Sequence, residues 1–170
     1  YILMCKEKSR NFKVAGHHRK DDWEKGWSGD GVYYSDDEYN NLPYYFKKNQ
    51  YIRLNGKVFK DEVGFTELNF LRVLQLITFK KYLPQVEASS IVEYGCGTGH
   101  NLNFLRENLP GYYNFFGSDW AESATKKLAE NDILSVDSIF LVDFFDKSTY
   151  NSPNNPYVAF TNASLERAGN

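Results

Sequence analysis

The chain has little cysteine, little histidine and no strong excess of charge of either sign, and each shortage removes a class of function. Two cysteines among 170 residues, Cys5 and Cys96, cannot build a disulfide framework or a multi-cysteine metal centre. His17 and His18 are adjacent, but no C-x-x-C or H-E-x-x-H pattern accompanies them, so no metal site is expected. A net charge of −2 and a pI near 5.9 argue against a broad nucleic-acid face. Lys6, Lys8, Arg10, Lys13, Arg19 and Lys20 form a loose basic cluster, but Glu7, Asp21, Asp22 and Glu24 are mixed into it, which reads as a solvated terminus. No apolar run is long enough to span a bilayer, and the first residues carry no signal-peptide pattern. With neither, and with so few thiols, the expected compartment is the reducing cytoplasm.

What is abundant is ordinary globular material plus aromatic rings. Hydrophobic residues make up 42% and charged residues 25%, enough for one domain with a substantial core. Thirteen Tyr and thirteen Phe are unevenly spread: Tyr33, Tyr34, Tyr39, Tyr44, Tyr45 and Tyr51 crowd one stretch. Trp23 and Trp27 read as anchors within the polar residues 1–30. Asn55-Gly56, between Tyr51-Ile52-Arg53-Leu54 and Lys57-Val58-Phe59, predicts a short hairpin. Residues 66–82 carry apolar side chains at helical spacing and predict a largely buried helix ending near Pro84. No internal repeat or low-complexity tract appears.

The most informative stretch follows. Ile91-Val92-Glu93-Tyr94 is a short apolar run ending beside an acid, and it leads into Gly95-Cys96-Gly97-Thr98-Gly99-His100. Asn101 to Arg106 then begins a helix. A strand, a glycine turn and a helix start form the unit with which parallel sheets hold nucleotide-like ligands at the carboxyl ends of their strands. Glycine reaches positive φ cheaply and lets a ligand approach the backbone. The spacing is not G-x-G-x-x-G, because His100 stands where the third glycine of a dinucleotide fingerprint belongs, and this disfavours a nicotinamide dehydrogenase. Two more apolar runs end in acids. Tyr113 to Ser118 leads to Asp119, about twenty residues past the turn, where a carboxylate can grip ribose hydroxyls; Asp is also a favoured helix cap, and both roles can hold. Ile139 to Val142, expected as a strand buried on both faces, leads to Asp143 and Phe144; Asp146 is a weaker alternative, more at home as a solvated loop acid.

The pattern acid-x-Gly-x-Gly-x-Gly, with the two later acids in order, resembles the class I S-adenosylmethionine-dependent methyltransferases over roughly residues 89–168. The resemblance implies an α/β, Rossmann-like core: a mostly parallel sheet with flanking helices over residues 66–170, incomplete at the C-terminus, behind an aromatic segment 1–65 that covers the cofactor and shapes the acceptor pocket. It further implies cofactor contacts from Glu93, Gly95, Cys96, Gly97 and Gly99, from Asp119 and Trp120, and from Asp143 with Phe144 at the adenine. Tyr157 to Glu166 looks like the fourth strand and the Leu-Glu element after it, but Tyr157 and Arg167 replace the family's usual acid and His there. The sequence assigns no catalytic base; His100 is available, but just inside the glycine turn such a residue is more often a helix start than a base.

The implied activity is methyl transfer to a small acceptor, such as a sugar or secondary metabolite. The rival is a cofactor-binding or partner domain without catalysis. Stopping after a fourth strand, the chain reads as a fragment or a shortened member of the family, with a sheet edge that the N-terminal segment, a second copy or a partner chain would cover. No nucleic-acid or membrane partner is expected. Asn162-Ala163-Ser164 is formally a glycosylation sequon, discounted for a cytoplasmic chain.

Overall fold

The computed structural model describes residues 20–28, 51–54, 56–60, 67–130 and 132–162. Outside them lie Cys5, His17, His18, most of the tyrosine-rich stretch, Asn55, and the Leu165, Glu166 and Arg167 of the expected Leu-Glu element.

Helix α1 (Lys20–Trp27) comes first, then strands β1 (Tyr51–Leu54) and β2 (Lys57–Lys60). These two pair antiparallel, Tyr51 opposite Lys60 and Leu54 opposite Lys57, with Gly56 at φ +77°, so the expected hairpin forms. After helix α2 (Glu67–Tyr82) and a 3₁₀ turn over Leu83–Gln85, the chain alternates: β3 (Ser90–Tyr94), α3 (His100–Asn108), β4 (Asn114–Asp119), α4 (Glu122–Glu130), β5 (Ile139–Leu141) and β6 (Tyr157–Phe160). The last four strands form one parallel sheet in the order β5-β4-β3-β6. This is the Rossmann-like α/β arrangement expected, a parallel sheet with flanking helices.

One face of the sheet carries the core. Ile91, Phe115, Val158, Phe160 and Ile139 point the same way, and against them pack Phe79 and Leu76 of α2, Leu102 and Leu105 of α3, and Leu128 of α4. Alternation along a strand puts Val92, Tyr94, Phe116, Ser118 and Phe140 on the opposite face, where the Phe116 and Phe140 rings stack 5.7 Å apart. The chain between β5 and β6 crosses there: Phe144 lies 6.4 Å from Tyr94, and the Tyr94 hydroxyl donates to the Asn151 carbonyl at 3.4 Å. Two connections thus run on one side and the third on the other, which makes the gap between β3 and β6 the topological switch point of the sheet.

Two expectations are corrected. Strand β5 is not buried on both faces; it is an edge, paired among the described residues with β4 alone, and Leu141 is 43% exposed. Ile139 and Phe140 are each half-buried, on opposite faces, and Val142 is buried just past the strand. Helix α2 is not largely buried either. Phe79 faces the core, but Val73, Leu74 and Ile77 are exposed, Ile77 at 57%. The helix has apolar residues on two stripes, and only one meets the sheet.

Candidate cofactor site at the glycine turn

The turn leaves β3 at its carboxyl end, beside the switch point. Gly95, Gly97 and Gly99 all adopt left-handed backbone, at φ +75°, +54° and +77°. Side chains resist that conformation, which accounts for the alternate glycines. The backbone N–H groups of Gly95 and Cys96 both donate to the Ser118 carbonyl, at 2.7 and 2.8 Å, so the turn is tied to the end of β4. Gly99 is further required by packing, since a Cβ there would stand 2.2 Å from Leu128 Cδ1 of α4. Helix α3 starts at the next residue.

Glu93 is the last charged side chain of β3 and is wholly buried. Its Oε1 accepts from Asn101 Nδ2 at 2.8 Å; its Oε2 has no hydrogen-bond partner among the described residues. Burial, partly offset by the Asn101 bond and reinforced by the nearby Asp119 charge, pushes its pKa up to about 8. Asp119 ends β4 and is also buried. Its Oδ2 accepts from the Gly97 N–H at 2.9 Å and its Oδ1 from the Ala121 N–H at 3.0 Å. Burial raises its pKa, against the lowering effect of the N–H groups of Ala121, Gly97 and Trp120. The two acids therefore converge on one turn from neighbouring strands.

Asp119 does not cap α4. That helix begins at Glu122, and its first free N–H groups, on Glu122 and Ser123, donate instead to the carboxylate of Glu24, at 2.6 and 2.9 Å. The Ser123 hydroxyl adds a bond to the Glu24 carbonyl at 2.9 Å. Burial acts to raise the Glu24 pKa, but these donors and Lys20 together hold it below the ordinary carboxylate value. By sequence Glu24 is one acid of a mixed-charge, solvated terminus, and nothing local signals a helix cap 98 residues away.

Helix α1, which carries Glu24, lies over the turn. Trp27 is 5% exposed and packs with Ala121 and Ala124, with Trp23 and Trp120 partly buried beside it. A Cβ on Gly97 would meet Trp27 Cζ2 at 3.0 Å and Cη2 at 3.1 Å, so the indole covers that glycine directly. Trp120 also lies 6.3 Å from Phe145.

The remaining sequence candidates fall as follows. Cys96 is buried in the turn, and burial followed by the Asp119 and Glu93 charges pushes its thiol up, so it is an inert packing residue. Asp143 Oδ1 accepts from the Phe145 N–H at 2.9 Å, and its own N–H donates to Thr149 Oγ1 at 2.9 Å, so the residue is engaged in a local turn. Phe144 is half-buried against Tyr94. Asp146 is a solvated loop acid whose Oδ1 holds the Ser148 N–H and hydroxyl, lowering its pKa. His100 is the first residue of α3, and burial with the Arg72 guanidinium depresses its pKa to about 3. A group that weakly basic is poorly matched to proton abstraction near neutrality.

No protein-family model matches this chain, and no curated protein matches it. Among solved structures it is similar to a SAM-dependent methyltransferase from Geobacter sulfurreducens, crystallised in complex with S-adenosyl-L-homocysteine. The two share 18% identity over 55% of this chain and 37% of that one, with a TM-score of 0.34. The chain therefore spans little more than a third of that protein's length. Among the described residues no helix is long and apolar enough to cross a membrane, and no group of three or more His, Cys, Asp or Glu is placed to hold a metal ion.

Proposed function

We propose that the chain binds S-adenosylmethionine at the Glu93–Gly99 turn and belongs to an enzyme that methylates a small acceptor, in the class of sugars or secondary metabolites. The observation that carries this reading is the convergence of the Glu93 and Asp119 carboxylates on three left-handed glycines at the switch point of a parallel sheet. An acid–glycine–acid turn there suits a ligand with an amino-acid end and a ribose and without phosphate.

The residues fit such a ligand. Among the described residues Glu93 Oε2 is buried without a donor, and an ammonium group is the kind of donor that would suit it. Asp119 keeps acceptor capacity beyond its backbone bonds, enough for ribose hydroxyls. Gly97 and Gly99 keep the loop free of side chains, with Cys96 filling its underside. Trp120, Asp143 and Phe144 would border the adenine. When bound, the cofactor supplies an electrophilic methyl on its sulfonium sulfur. This chain's part is to hold and orient: approach and alignment dominate an in-line displacement, and the ring-rich surroundings exclude water. Helix α1, lying on Gly97, supports the view of residues 1–65 as a cover on a core formed by residues 66–170.

A second reading, a cofactor-binding or partner domain without catalysis, is favoured by the depressed His100 and by the indole already seated over Gly97. Calorimetric titration with S-adenosylhomocysteine and with NAD, alongside a methyl-transfer assay over a panel of sugars and small phenols, separates the possibilities. Binding of the first nucleoside and not the second is expected. Binding without transfer to any acceptor favours the second reading, and preference for NAD removes both.

A further inference from the structure

The space that the proposed ligand needs above Gly97 is filled by this chain's own indole. A Cβ built on that glycine would stand 3.0 Å from Trp27 Cζ2, and the Gly97 amide is turned inward to Asp119. Among the described residues, helix α1 is held there by the Glu24 carboxylate on the two N–H groups opening α4, by the Glu24 carbonyl on the Ser123 hydroxyl, and by the cluster of Trp27 with Ala121 and Ala124. It has only eight residues, and its polar side faces solvent. Eight residues are too few for a helix to be stable alone in water, so α1 keeps its place through these contacts.

We propose that α1 is a self-occluding cover of the glycine turn, in which Trp27 stands in for part of the ligand and Glu24 is the latch. This rests on the cofactor reading above. A ligand entering against Gly97 must displace the indole, and displacing it means withdrawing Glu24 from α4 or tilting α1 about that latch. The closed arrangement then competes with binding, and the measured affinity is the intrinsic one reduced by the fraction of molecules in which α1 has moved aside. Two features of the latch suit it to release. Glu24 and Ser123 lie at the surface end of the contact, where water can replace the lost bonds, and Trp27 is the only α1 side chain packed directly onto the turn's glycines in the described contacts.

The test is calorimetric titration of S-adenosylhomocysteine into the wild-type chain and into Glu24→Gln and Trp27→Ala. Glu24→Gln leaves the core untouched and keeps the fold under study should Trp27→Ala prove unstable. Weakening the latch or removing the plug should tighten binding, on the order of 5- to 10-fold for a cover closed in about nine molecules of ten. Amide hydrogen exchange provides the companion reading: saturating ligand should speed exchange in residues 20–27 and slow it at Gly97. Unchanged affinity in both variants, or weaker binding by Trp27→Ala with added protection of α1 by ligand, would overturn the proposal, because Trp27 would then be a wall that the ligand rests on. Absence of binding by all three proteins would instead remove the cofactor reading, and the cover with it.

Discussion

Glu93 combines complete burial, a single hydrogen bond and a pKa near 8, and so makes the folded protein sensitive to pH. Its ordinary value is 4.5, so between there and about 8 the native state keeps a proton that the unfolded chain releases. Stability is then full below 4.5 and declines as pH rises through that window, by at most about 1.4 kcal/mol per pH unit for one proton. Asp119, also raised, adds to the decline in the same direction. Urea unfolding at several pH values should show this slope, and Glu93→Gln should flatten it. The same group supplies a signature of binding. A cationic partner at Oε2 would favour the charged form, so ligand uptake near pH 7 should release a proton, seen as a dependence of the calorimetric heat on buffer ionisation enthalpy. Asp119→Ala should lower both affinity, by about 1–3 kcal/mol, and melting temperature, since it removes acceptors for Gly97 and Ala121 together. Sequence is a fair guide to such residues: position at the end of an apolar run is enough to single out Glu93, Asp119 and Asp143. It could not tell that Asp143 is occupied by its own turn, or that Asp119 leaves the cap of α4 to Glu24, because those depend on which donors the chain brings back from elsewhere.

Between elements, the glycine turn and α4 fit like a closed joint. Leu128 fills the space a side chain at Gly99 would take, and Leu128, Leu102 and Cys96 Sγ each lie 3.0 Å from a Cβ built on Gly117. Gly99→Ala should therefore destabilise the protein by about 2–4 kcal/mol, from overpacking together with positive φ, while Gly111→Ala, with open space around it, should cost little. Thermal unfolding of the two variants checks the contrast. The hairpin and the alternation of strand and helix were legible because turn chemistry and periodicity are local. Which stripe of α2 meets the sheet was not: Val73, Leu74 and Ile77 are as apolar as Leu76 and Phe79, and only the sheet decides. An apolar run likewise looked the same whether its strand lay in the middle of the sheet or, like β5, at an edge.

Across the whole molecule, the sheet order puts the turn where two crossovers on one side give way to a third on the other, and a ligand seated there touches elements from most of the described fold. Such a ligand should raise stability in proportion to its saturation, by about 2.7 kcal/mol at one hundred times its dissociation constant. A melting temperature unmoved by S-adenosylhomocysteine at millimolar concentration, with NAD equally silent, would count against the site. The placement of the rings has an optical consequence. The chain has three tryptophans, and Trp23, Trp27 and Trp120 all gather in one cluster beside Gly97 and Asp119. Light absorbed by indole at the red edge of the protein's spectrum is therefore re-emitted from a single spot, so that the tryptophan emission of the protein is in effect the emission of its glycine turn, and the site can be watched at work without attaching a label.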